Sequence, residues 1–186
     1  MTLEEMKQKV YALIEEYNED EEDLTQDEDL AMKMNSVINS IMFEVARMKK
    51  IPARTTMDIV FEEGEEELEV EMTDIDSSIY QIDVIKGVDS IVCGKTVVFS
   101  TEGTAKIYYF KYPQAITEDT DDSYTFELDE DALECMVYGV AGDLLKADIS
   151  QANGNVYMQR YESLLSRLDP RTGLGGIYID GAIELY

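Results

Sequence analysis

The sequence predicts an α+β fold: a four-helix body formed by N- and C-terminal helix pairs, with an antiparallel β-sandwich or partly open barrel inserted between them. Two observations lead there. Apolar residues recur at helical spacing from Leu3 to Val45 and again from Leu133 to Leu168, whereas between about Arg54 and Leu128 the period falls to two. No Pro- or Gly-rich linker marks the changes near Ile51 and Asp129, as expected of tight junctions around an insertion. The expected units are a discontinuous helical body (residues 1–52 and 129–170), an inserted β-domain (53–128) and a C-terminal arm or strand (171–186).

Each element has a local reason. Thr2 and Glu5 form a capping box for a first helix over residues 3–17, with Leu3, Met6, Val10, Leu13, Ile14 and Tyr17 on one face. The acidic run from Glu19 to Asp23 breaks it. Thr25 and Glu28 open a second helix of about six turns, whose stripe runs from Leu30 to Val45. Lys49 and Lys50 suit its C-terminal dipole, and Pro52 stops it. In the middle, Met57, Ile59 and Phe61 alternate with polar residues, as do Leu68, Val70 and Met72 across a Glu-rich turn. That predicts a hairpin with one wet, acidic face. Further strands are expected at 79–85, 88–93, 95–101, 105–112 and 123–128, with turns at Gly87, Gly94 and Gly103.

Asp129 is the expected N-cap of a third helix reaching about Ala147. It carries one apolar stripe and a second stripe of small residues that includes Gly139 and Gly142. Glycine in a helix interior costs up to ~1 kcal/mol against alanine, so two of them imply a close backbone approach, within the subunit or to a neighbour. Ser150 is in place to cap a fourth helix, although Asn153 and Gly154 argue for a later start. Pro170 ends it. The last segment, TGLGGIYIDGAIELY, is Gly-rich and apolar and suits a terminal strand or arm.

Composition excludes several classes. The 186 residues are 45% apolar, enough for a buried core. No apolar run is long enough to cross a membrane, and the acidic N-terminus lacks the order of a signal peptide. Cys93 and Cys135 have no CxxC spacing and are expected to be buried thiols of a cytosolic chain. Net charge is −26, from 41 acidic and 15 basic residues, so no basic nucleic-acid-binding face is expected. There is no histidine, which removes His-based triads, metal sites and proton shuttles. No phosphate-binding or dinucleotide-binding loop or nucleophile elbow is present. Paired carboxylates are unspecific among so many acids, so no enzyme, cofactor or resident metal is expected. Asp74, Asp76 and the stretch Glu118 to Asp122 offer oxygen ligands for calcium but do not fit an EF-hand loop. The aromatic run Tyr108, Tyr109, Phe110 and Tyr112 reads as a buried strand with an outward tyrosine edge.

The order of helices, the YPQAIT…DDSYTFELDEDA junction, and the GVAGDLLKAD and YESLLSRLD helices resemble tailed-bacteriophage head–tail connector (adaptor or neck) proteins. The segment TQDEDLAMKMNSVINSIMFEVARMKKIP is similar to their opening helices. The resemblance spans most of the chain and rests on packing motifs. The β-rich middle departs from the simplest, nearly all-helical members. It implies a ring of identical subunits under the portal, with portal and tail proteins as partners, in the virion and, during assembly, in the host cytoplasm. An acidic channel would repel passing DNA. The candidate interface residues are Gly139 and Gly142, with Gly173, Leu174, Ile177, Tyr178, Ile179 and Ile183 of the arm. A tail-completion protein and an acidic calcium-dependent binding module are the alternatives.

Overall fold

The computed structural model describes residues 1–15, 28–146 and 150–168. In chain order its elements are α1 (Leu3–Glu15), α2 (Glu28–Lys49), β1 (Pro52–Ile59), β2 (Leu68–Glu71), a short α3 (Met72–Ile75), β3 (Ile79–Lys86), β4 (Ser90–Cys93), β5 (Thr96–Phe99), β6 (Gly103–Lys111), α4 (Glu130–Leu144) and α5 (Gln151–Leu165). The fold is α+β. The end of the expected first helix, the capping residue Thr25 and the whole C-terminal arm lie outside the described residues.

Helix starts follow their caps. The Thr2 amide donates to Glu5 Oε2 at 2.9 Å, and the Glu5 amide donates to Thr2 Oγ1 at 3.2 Å. The amides of Leu3 and Glu4, otherwise without helical partners, donate to the carbonyls of Tyr124 and Asp122. Asp129 Oδ1 accepts from the Ala132 amide at 3.1 Å, while its Oδ2 meets Lys49 Nζ at 2.9 Å. One carboxylate thus caps α4 and ties it to the end of α2. Ten of the fifteen residues of α4 are buried, which makes it the central helix: it packs against α1, α2 and α5. The helical core is built on Met34, Ile38, Met42, Leu133, Met136 and Leu144, and it extends to Ile51, Ile116, Phe126 and Leu128 from outside the helices.

The β-module is two open three-stranded antiparallel sheets, ordered β1-β6-β3 and β2-β5-β4. Ile59, Ile107 and Tyr109 of the first sheet and Val70, Val97 and Phe99 of the second share one core. That is a small sandwich with free edges rather than a barrel. Its first and last strands pair along their whole length, from Pro52 opposite Phe110 to Ile59 opposite Gly103. The chain therefore leaves α2 and returns toward α4 at one place, where the Lys111 amide donates to the Ile51 carbonyl.

Two sequence expectations are corrected. The segments around Met57 and Val70 both form strands but do not pair with each other: β1 pairs with β6, and β2 with β5. Alternation fixes which face a strand buries, not its partner. Residues 123–128 form no strand beyond a single bridge between Thr125 and Thr2. Their alternation instead lays Phe126 and Leu128 into the helical core.

Candidate assembly interface

Gly139 and Gly142 are buried, and the close approach they permit is internal. A Cβ at Gly139 would meet the Tyr161 ring at 2.9 Å and Ile41 at 3.0 Å. One at Gly142 would meet the Met158 amide nitrogen at 2.9 Å. The expectation that these two glycines face a neighbouring subunit is therefore corrected: they seat α5 on α4. Gly154 completes the contact. α5 starts before it, at Gln151, and the glycine is there for the close approach: a Cβ at Gly154 would lie 2.6 Å from the Lys146 nitrogen. Tyr161 sits at the centre and donates its hydroxyl to Glu44 at 2.8 Å. Burial first, then the Glu44 carboxylate, raises its pKa far above the usual phenol range. Burial also pushes the Cys135 thiol up to about 12. Cys93, expected to be buried, is exposed on β4. Gly173, Leu174, Ile177, Tyr178, Ile179 and Ile183 lie outside the described residues.

The acidic loops are engaged locally. Asp76 accepts from the Ser78 amide, the Ser78 hydroxyl and the Tyr109 hydroxyl at 2.6–2.8 Å. These hydrogen bonds hold its carboxyl below the usual range. Asp121 accepts from the Ser123 amide, and Asp122 pairs with Lys7 at 2.8 Å. Among the described residues no three carboxylates or thiols gather as a metal-binding group. No described helix is long and apolar enough to cross a membrane.

Among the described residues three surface features matter for contact with other molecules. An open cleft of about 470 Å³ lies between α1 and α4, with Leu13, Val137 and Tyr138 on its floor and Lys9, Glu130 and Glu134 on its rim. Strand β4 is a free edge that leaves Ile91 64% and Val92 45% exposed. The third feature is the outer face of the β1-β6-β3 sheet. Register sets Arg54 beside Tyr108, Thr56 beside Lys106, and Lys86 on the other side of Lys106. An open cleft of about 540 Å³ lies among Arg54, Thr56, Lys106 and Tyr108. Toward α2 the face continues through Phe110, with Lys50 Nζ 5.3 Å above its ring, and through Tyr112, with Arg47 5.3 Å above.

Five of the chain's 15 cations thus share one aromatic face, although the chain as a whole is strongly acidic. Asp58, which accepts from the Thr104 hydroxyl at 2.7 Å, lies on the same side of the sheet, so the face is a local cluster of cations within an acidic chain. Charge counted along the chain does not reveal it, because the face joins residues from α2, β1, β3 and β6. The one local signal is that Lys106 and Tyr108, like Arg54 and Thr56, sit two apart on a strand and so share a side. The chain matches no protein-family model and no curated protein.

Proposed function

We propose that this chain is a structural assembly protein of a tailed-phage or prophage virion. It forms a ring at the head–tail junction, binds copies of itself and then portal and tail proteins, and performs no catalysis. One observation carries the reading. The β-module enters and leaves the helical body at a single point, its first and last strands paired, while the helical core closes around α4. That is a helical body bearing a β-insertion: the body holds most of the segments that carry the sequence resemblance, and the β-module is where the chain departs from the simplest members. The polar groups support it further, since those of Asp76, Asp129, Glu44 and Tyr161 hold the fold together.

Light scattering behind size exclusion, with negative-stain microscopy of the peak, tests this over a range of protein and salt concentrations. The expected result is a discrete oligomer with cyclic symmetry that appears as salt is raised from about 0.01 to 0.1 M. Over that range the Debye length falls from about 30 to 10 Å, and repulsion between acidic subunits weakens. A chain that stays monomeric across the series, or forms only irregular aggregates, contradicts the reading.

A further inference from the structure

We propose that copies of this chain bind head to tail, the cationic–aromatic sheet face of one receiving the acidic β1–β2 loop (residues 60–67) of the next. The inference rests on the assembly reading and specifies its contact.

The two surfaces are complementary, and among the described residues their central charges lack ion-pair partners. The loop carries glutamates at 62, 63, 65, 66 and 67, all exposed. Among the described residues none of them has an ion-pair partner, and neither do Arg54 and Lys106 on the face. Val60, at the base of the loop, is 70% exposed. It supplies an apolar group to set against Tyr108. A glutamate can meet the Arg54 guanidinium with two parallel hydrogen bonds, and Lys106 adds a compact point charge.

The loop does not fold onto its own face. It leaves β1 after Ile59, about 17 Å along the strand from Arg54 at ~3.4 Å per residue, and the Phe61 amide donates to Glu102 at that far end. The complement is therefore met between copies. A reciprocal two-fold contact would seat both loops on both faces and stop at a dimer, whereas the head-to-tail contact that the assembly reading requires leaves one free face and one free loop on every pair, so it propagates and can close into a ring.

The contact has a distinctive salt dependence. At about 0.01 M salt the long-range repulsion between two bodies of charge −26 opposes association. At about 0.1 M it is screened while pairs in contact persist. At about 1 M, with a Debye length of ~3 Å, the exposed pairs weaken too. Association passes through a maximum at intermediate salt.

A charge swap tests the proposal. One variant combines Arg54→Glu with Lys106→Glu, and a second combines Glu63→Lys with Glu66→Lys. All four positions are exposed, and thermal melts confirm the fold of each. Each variant alone is expected to self-associate at least about tenfold more weakly at 0.1 M salt, and an equimolar mixture to recover most of the loss. The mixture controls for damage to either variant, because only the proposed pairing lets two weakened partners restore each other. Unchanged association of both variants overturns this contact and leaves the assembly reading standing. Charge-dependent association into open filaments upholds the contact and overturns the ring. Binding of a short single-stranded oligonucleotide that Arg54→Glu abolishes, with no recovery in the mixture, assigns the face to nucleic acid and overturns the proposal. No association of the native chain at any salt overturns both.

Discussion

The helical body and the β-module use similar apolar strings to different ends. Helix α4 buries ten of fifteen residues and meets three other helices, whereas β4 buries none of its four and leaves Ile91, Val92 and Cys93 in solvent. Polar groups divide in part the same way, although Asp76 with Ser78 and Tyr109 is a matched cluster inside the module. In the body Lys49, only 7% exposed, is matched by Asp129, and Tyr161 by Glu44. On the module the cations Arg54 and Lys106 and the glutamates of the β1–β2 loop have no ion partner among the described residues. The lesson is a division of labour: buried polar pairs fix the fold of the body and the core of the module, and unmatched charge on the module's surface keeps it available for contact.

Glycine substitutions break this contrast most sharply. Gly154→Val sets its Cβ against backbone atoms of Lys146 and Gly142 at 2.6–2.8 Å, which cannot swing aside. A loss on the order of 3 kcal/mol in urea unfolding is expected, the upper end of overpacking penalties. Gly94→Ala in the β4–β5 turn meets open space, so only its positive φ of 67° is strained, at a cost of roughly 1–2 kcal/mol. Equal losses at the two sites would contradict the difference in packing.

Asp129→Ala removes a helix cap and leaves Lys49 without its carboxylate in a nearly buried site. A loss of about 2–3 kcal/mol follows, below the range for fully buried pairs because the Asp129 side chain is about one-third exposed. Asp129→Asn keeps a capping oxygen and is expected to cost less. If alanine and asparagine behaved alike, the cap would carry nothing and the ion pair everything.

Alkali sharpens the comparison through groups in both regions. Burial raises the Cys135 thiol from 9.0 to about 12 in the body, and the Tyr109 hydroxyl from 10.0 to about 12 in the module. Both ionise more readily in the unfolded chain. Their contribution is complete below about pH 9 and is lost as pH rises toward 12. Melting temperature should stay level from pH 7 to 9 and then fall. In Cys135→Ala the onset moves up toward pH 10, where tyrosine begins to titrate. A melting temperature that held level to pH 12 would contradict the burial of both groups.

The smallest perturbation is a label. A maleimide at neutral pH should modify exposed Cys93 at once and reach buried Cys135 only as fast as the body opens. Prompt modification of both thiols would place Cys135 outside a closed core.

Much of this was legible locally. Thr2 with Glu5 and the Asp129 cap are written in adjacent residues, and they form the expected hydrogen bonds. Most strand positions followed from period-two alternation. Their partners did not, because the pairing of β1 with β6 joins residues about fifty positions apart and leaves no periodic trace. Gly139 and Gly142 announced a close approach without saying to what; Tyr161 and Met158 answer that. The cationic face was illegible for the same reason as the strand order, since Arg54, Lys86 and Lys106 become neighbours only once the sheet register is set.

Hydrogen–deuterium exchange, comparing the free chain with its oligomer, tests the division of labour most directly. The account predicts new protection in residues 60–67 and along β1 and β6 around Arg54 and Lys106, with α4 equally protected in both states. New protection confined to the helices, with the β1–β2 loop exchanging as in the free chain, would contradict it.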